Sequence, residues 1–208
     1  MKKLIIYGAS YVDIIKVIDN IKKNEDIAVV GFLDDVKYGR EETFMGYPII
    51  GNKDDVPKYK NECYFVNNVF GSPARRKFVF NILNGCDLYS VIDPSVNTNH
   101  VSIGDGVYVG EQVFLGALSL IKDWVSIRGL AYIGHEAILG KNVYIAPCAC
   151  VLGRVSVGDC SWIGGNSVIR NGISIGNNVT VGCGAVVVAD VPNNMTVVGN
   201  PAKPIQRK

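Results

Sequence analysis

Ile103, Val109, Leu115, Ile121, Ile127, Ile133, Leu139, Ile145, Val151, Val157, Ile163, Ile169, Ile175, Val181 and Val187 stand six residues apart, with no slip of phase before Pro192. Four residues after each comes a second column of small or β-branched residues, running from Val107, Val113 and Ser119 through Ala137 and Ala149 to Val191. A period of six fits neither the 3.6 of a helix nor the alternation of an isolated strand. It is the pattern of a hexapeptide solenoid, in which each repeat is a short strand and a corner. Both columns are expected to point inward. The Gly that often follows the aliphatic residue, as at Gly104, Gly116, Gly134 and Gly164, is expected to relax the corner backbone. Three repeats close a triangular coil, so residues about 18 apart should stack, one coil every ~4.8 Å.

The rest of the composition excludes several classes. A formal net charge of +2 on 208 residues lacks the basic footprint of a nucleic-acid binder. No apolar run approaches the ~18–20 residues that span a bilayer, and Leu4 to Tyr7 is too short for a signal peptide core. A cytoplasmic protein is expected. None of the six Cys forms a Cys-x-x-Cys pair, and only two His occur, so no metal is expected.

Ahead of the solenoid the pattern changes. Lys3 to Tyr7 reads as a buried strand, Gly8-Ala9-Ser10 as a turn, and Val12 to Ile21 as a helix. Ala28 to Leu33 is a second strand ending in Asp34-Asp35. Tyr64 to Asn67 is another, followed by Gly71-Ser72 and a helix that Pro73 opens. Strand, helix, strand is the βαβ pattern of a small parallel sheet, whose ligands bind at the carboxyl ends of the strands. Ser10, Asp34, Asp35 and Gly71 fall there. No second or third Gly follows Gly8, so a full dinucleotide fingerprint is missing. The expected organisation is an α/β N-terminal βαβ (Rossmann-like) domain over residues 1–90. A left-handed parallel β-helix of hexapeptide repeats follows over residues 91–208, with Val198 to Lys203 capping its end.

The repeat also orders the outward positions. His135 lies two residues after inward Ile133, at a corner, with small Ala117 and Gly153 as its stacked neighbours. A groove beside the imidazole follows, wide enough for an extended chain. The residue before each aliphatic position forms outward columns: Tyr108, Ser126, Tyr144, Trp162, Thr180 on one face and Phe114, Tyr132, Cys150, Val168, Val186 on the next. Apolar columns of that size mark association, and two faces per prism suit a heterologous, ring-closing homotrimer.

Tyr7-Gly8-Ala9-Ser10, Leu33-Asp34-Asp35, Ile92-Asp93-Pro94-Ser95, Ile133-Gly134-His135-Glu136 and the terminal Gly199-Asn200-Pro201-Ala202-Lys203 together resemble the bacterial sugar O/N-acyltransferases of the hexapeptide-repeat family. Its PglD-like members N-acetylate nucleotide-linked amino sugars, and its NeuD-like members O-acetylate sialic acid. The resemblance covers the full length. It implies acetyl-CoA as co-substrate, an acceptor of UDP-4-amino-sugar type, and a homotrimer with active sites between subunits. It implies His135 as general base and Glu136 as the carboxylate that raises its basicity. It places the acceptor on Ser10, Tyr11, Val12, Asp34, Asp35 and Gly71, and acetyl-CoA on Tyr144, Gly165 and Cys183. The chain departs from the family at Tyr11-Val12-Asp13, where Gly-His-Gly is usual. The other readings are sugar O-acetylation by the same base and a trimeric sugar-nucleotide-binding scaffold without catalysis. The Asp34-Asp35 pair, read as a receptor for an ammonium, favours the amine.

Overall fold

The structure is a computed structural model that describes residues 1–205. Gln206, Arg207 and Lys208, which the sequence reading includes in the solenoid domain, lie outside the described residues. The chain divides into two compact units, Met1–Val91 and the residues from Ile92 onward.

The first unit follows the order β1 (Lys2–Tyr7), α1 (Asp13–Ile21), β2 (Ile27–Leu33), β3 (Thr43–Phe44), β4 (Tyr47–Gly51), α2 (Val56–Tyr59), β5 (Tyr64–Asn67) and α3 (Pro73–Ile82). The sheet order is β3-β4-β2-β1-β5. The pairs β4–β2, β2–β1 and β1–β5 are parallel, and β3 joins β4 antiparallel. Leu4, Ile5 and Ile6 have no exposed surface, as suits a central parallel strand covered on both faces. Helix α1 buries Ile14, Ile15, Val17, Ile18 and Ile21, a stripe set by the 3.6-residue period. The chain leaves β1 for β2 on one side and returns to β5 on the other. The carboxyl end of β1 is therefore a topological switch point, where such sheets open a crevice.

The second unit is a parallel β-solenoid. Fifteen two-residue strands, from Ser102–Ile103 to Val186–Val187, form three faces of parallel strands. Partners lie 18 residues apart throughout, as in Tyr132↔Cys150 and Tyr144↔Trp162. The aliphatic column is buried from Val109 to Val187, with Ile103 half-buried at the entrance, and the small column is buried from Val107 to Val191. At the far end Thr196–Val198 extends one face, and Lys203–Ile205 pairs back on it antiparallel.

Two sequence expectations need correction. The Gly after each aliphatic residue does not supply an unusual dihedral. The left-handed backbone falls two residues later, at His100, Gly106, Gln112, Leu118, Trp124, Leu130, Glu136, Asn142, Cys148, Arg154, Cys160, Asn166, Gly172, Asn178 and Gly184. The earlier Gly answers crowding between coils: a Cβ on Gly116 would lie 2.3 Å from His135 N, and one on Gly134 would lie 2.4 Å from Gly153 N. The second correction concerns the outward columns. Tyr108, Ser126 and Tyr144 are buried within the single chain, at 3–4% exposure. That face is no free surface for a second subunit. The Phe114–Tyr132 column does stay open, and so do Leu120 and Ile138 on the third face.

Ile145 has no exposed surface at the middle of the solenoid. Ile145→Ala leaves a cavity between stacked coils, so a loss of about 2–5 kcal/mol is expected. A lowered urea midpoint with an unchanged slope checks it.

Candidate active site

His135 sits at the corner that follows Tyr132–Ile133. Its backbone is held from both sides: Glu136 N–H donates to Ala117 O at 3.0 Å, and Arg154 N–H donates to His135 O at 2.9 Å. The imidazole leans over Gly153, where a Cβ would come within 2.5 Å of Nε2. Only glycine leaves room for the ring in this position. On the other side Ala117 presents a single methyl group.

Glu136 occupies one of the left-handed corners (φ 57°), and this turns its carboxylate back along the chain. Glu136 Oε2 lies 2.9 Å from His135 Nδ1 and 3.0 Å from Arg154 Nε. The hydrogen bond from His135, then that from Arg154, hold the Glu136 carboxyl below the usual carboxylate range. An ionised carboxylate only accepts, so Nδ1 carries a proton, and in the neutral ring the lone pair is on Nε2. An exposed ion pair of this kind contributes little to stability. Its effect is to set the tautomer, as the aspartate does in a serine protease triad. Arg154 was not among the residues expected from the sequence. Its signal was present: it stands one coil, 18 residues, after Glu136.

The acetyl-CoA positions divide. Gly165 and Cys183 stack one above the other at a single corner, where Gly184 N–H donates to Gly165 O at 2.9 Å and the Cys183 thiol is exposed. That corner and the His135 corner bound opposite edges of the Tyr132 face. Tyr144 differs. Its ring is 3% exposed and stacks on Trp162 with centroids 4.0 Å apart and planes at 17°. It belongs to the buried face, away from the His135 edge, and offers no surface to a coenzyme. The assignment of Tyr144 to acetyl-CoA is corrected accordingly.

In the first unit a cavity of about 250 Å³ opens at the switch point, lined by Tyr7, Gly8, Ser10, Asp34, Asp35 and Arg75 among others. Asp34 ties it together. Its Oδ2 accepts from Ala9 N–H at 2.7 Å, and its Oδ1 accepts from Val36 and Lys37 N–H at 2.9 Å each. Asp35 Oδ2 accepts from the Tyr7 hydroxyl, and its Oδ1 accepts from Lys53 N–H at 3.0 Å. Burial, then Asp35, push the Tyr7 hydroxyl pKa far up, so it stays a donor. Every oxygen of the acidic pair has a partner in the chain. The pair braces the cavity that it lines. Tyr11 packs edge-on against Phe70, Val12 is exposed just ahead of α1, and Gly71 lies near Arg75. These three flank the cavity without lining it. Arg75 is the cation that sequence reasoning missed there. No group of three or more His, Cys, Asp and Glu able to hold a metal ion occurs among the described residues. No helix among them is long and apolar enough to cross a membrane.

No protein-family model matches the chain. The acetyltransferase domain of PglB from Neisseria gonorrhoeae, solved with acetyl coenzyme A, is 30% identical. It superposes with a TM-score of 0.87 over 98% of this chain and 99% of that one. PerB from Caulobacter crescentus, solved with CoA and GDP-perosamine, is 25% identical with a TM-score of 0.85, over 99% of this chain and 98% of that one. The GDP-perosamine N-acetyltransferase of Escherichia coli is 28% identical over 208 residues, which is 97% of this chain and 93% of that protein. With a solenoid of this register and a histidine–glutamate pair at its corner, the fold and site define an acyltransferase. The chain belongs to the hexapeptide-repeat family of bacterial sugar N-acetyltransferases that PglB and PerB represent.

With only two histidines in the chain, the imidazole of His135 can be followed directly by nitrogen-detected NMR. The neutral ring is expected to carry its proton on Nδ1. In Glu136→Ala the Nε2–H form should take over. A wild-type ring that is mainly Nε2–H would show that the glutamate does not set the tautomer.

Proposed function

We propose that this protein transfers the acetyl group of acetyl-CoA to the amine of a nucleotide-linked 4-amino sugar, with His135 as general base. The observation that carries the reading is the His135–Glu136 pair beside Gly153. It presents an imidazole braced by a carboxylate at an exposed corner whose stacked neighbours, Ala117 and Gly153, are small. The acceptor amine, bound as the neutral nitrogen or after giving up a proton, attacks the thioester carbonyl. His135 Nε2 takes the second proton as the C–N bond forms. The imidazolium then returns a proton to the coenzyme A thiolate as the C–S bond breaks. Such a base contributes about 10²–10⁴-fold to rate. Glu136 stabilises the transient imidazolium, and Arg154 holds Glu136 in place.

The nucleotide of the acceptor is assigned to the cavity at the end of β1, with Ser10 and the backbone shaped by Asp34 and Asp35 as its walls. Tyr11, Val12 and Gly71 flank it. The N-terminal unit is read as the Rossmann-like acceptor domain of residues 1–90. The chain departs from its relatives' usual Gly-His-Gly at Tyr11-Val12-Asp13, a departure that bears on which sugar is taken. Acetyl-CoA is assigned to the left-handed solenoid, with Gly153, Gly165 and Cys183 along its course. Because His135 and Gly165–Cys183 stand on opposite edges of one face, a second copy has to bring the edges together. The Phe114–Tyr132 column and the Leu120–Ile138 pair, exposed on the two faces that meet at the His135 edge, suit a homotrimer with active sites between subunits. Six free thiols suit a cytoplasmic enzyme.

The relatives solved or named with GDP-perosamine make the GDP-linked sugar as strong a candidate as the UDP-linked one. Thiol release from acetyl-CoA is to be measured against GDP-perosamine, UDP-linked 4-amino sugars, the hydroxyl counterpart of each, and sialic acid. Release with an amino sugar and none with its counterpart is the expected result. Release with hydroxyl sugars alone would replace the reading by O-acetylation. Acetyl-CoA binding with no release across the panel would favour the non-catalytic scaffold.

A further inference from the structure

The turn from Gly8 to Tyr11, at the end of β1, is gripped by a side chain that neither the sequence reading nor the proposed chemistry uses. Asn68 comes directly after β5 and has no exposed surface. Its Nδ2 donates to Gly8 O at 2.8 Å and to Tyr11 O at 3.1 Å. Gly8 and Ser10 of this turn line the cavity at the switch point. We infer that Asn68 is a positioning residue for the acceptor, clamping the turn in the shape that presents Ser10 and the turn's backbone to the cavity. The inference rests on the function proposed above, which assigns the acceptor's nucleotide to that cavity.

The strand order puts Asn68 in place. Strands β1 and β5 are parallel neighbours, with Tyr7 opposite Asn67. The Asn68 N–H adds one rung beyond this register, donating to Tyr7 O at 2.8 Å. There the ladder ends, because Gly8 turns away with φ 101°. A Cβ on Gly8 would lie 2.5 Å from Val69 Cγ2, so the two segments diverge this closely only with glycine. Past the last rung a buried backbone carbonyl needs another partner. The Asn68 amide supplies one to Gly8 and one to Tyr11. A side-chain amide nitrogen carries two hydrogens, and this turn takes both.

The grip is two-sided. From the end of β2, Asp34 Oδ2 accepts the Ala9 N–H at 2.7 Å. The turn is therefore held by a donor from beyond β5 and an acceptor from beyond β2, the two strands that flank β1. Phe70, two residues after Asn68, is also without exposed surface, and the Tyr11 ring meets it edge-on with centroids 5.2 Å apart. One short segment thus fixes residue 11 at its carbonyl and at its ring. Ser10, between these anchors, stays exposed.

Stability alone does not explain an asparagine here. Its Oδ1 is buried and has no hydrogen-bond partner among the described residues. An unpaired buried oxygen costs free energy, and a fold keeps one where the other contacts of that group are needed. A turn already held in its bound shape spares a ligand the entropy of ordering it. Loss of the clamp should then weaken acceptor binding and leave the chemical step alone.

Asn68→Asp tests this, since it keeps the shape of the side chain and replaces both donor hydrogens by an acceptor oxygen. Acceptor Kd and KM are to be measured with GDP-perosamine and with a UDP-linked 4-amino sugar, beside the KM for acetyl-CoA. Hydrogen-exchange protection of Leu4 to Ile6, the covered strand of the same unit, reports whether that unit stays folded. With protection kept, the acceptor Kd and KM are expected to rise about tenfold. The kcat and the acetyl-CoA KM should not change. Where Asn68→Asp costs the strand its protection, Tyr11→Ala carries the same expectation, because it cuts the ring contact at a half-buried position and leaves Asn68 whole. An unchanged acceptor Kd in the folded variant, or a rise shared equally by the acetyl-CoA KM, would overturn the inference. Acceptor binding that the variant weakens, without any transfer by the wild type, leaves the clamp in place and removes the proposed reaction. Transfer whose acceptor KM ignores the variant removes the clamp alone.

Discussion

Everything in the solenoid depends on one backbone constraint. Every sixth residue from His100 to Gly184 turns a corner with positive φ, and this keeps residue i over residue i+18 for five strands on each face. A left-handed L-residue costs roughly 1–2 kcal/mol. The corners hold Asn and Gly, which tolerate it, but also Leu118, Trp124, Glu136 and Arg154, which do not favour it. The fold holds them there because neighbouring coils fix each corner: from Leu118 to Gly184 the N–H of every left-handed residue donates to a carbonyl of the preceding coil. The aliphatic column then stacks like on like, and glycine follows it where the next coil crowds that position, as at Gly116 and Gly134.

The same constraint builds the histidine corner. A left-handed Glu136 brings its carboxylate onto the imidazole of the preceding residue, and the register brings Arg154 onto that carboxylate. Gly153 is required by the width of the ring. No part of this needs a loop or a metal. The geometry is set by stacked short strands, which are among the more rigid places to mount a side chain.

The periodic part of the molecule was open to reading from the sequence, because a six-residue repeat has one structural solution and its inward columns carry unmistakable residue types. The histidine corner followed from the same arithmetic. What stayed hidden was whatever depends on contacts that carry no period. Tyr108 and Tyr144 look like any outward column, and only the folded chain shows them buried. The Gly after the aliphatic residue was read as a matter of dihedral freedom, whereas coil-to-coil crowding selects it. The bracing of Asp34 and Asp35 carried no sequence signal, because the backbone amides that engage them come from Ala9, Val36, Lys37 and Lys53, two of them distant in sequence.

The claim on which the account turns is that the lone pair of His135 receives the acceptor's proton. Its most direct measurement is the rate of acetyl-CoA-dependent transfer by His135→Ala beside the wild type, on the acceptor the wild type uses best, with the oligomeric state of both verified in solution. The account predicts a fall of at least about 10² in kcat with assembly and acetyl-CoA binding retained. A variant that assembles and turns over at close to the wild-type rate would take His135 out of the mechanism, and with it the role assigned to Glu136 and Arg154.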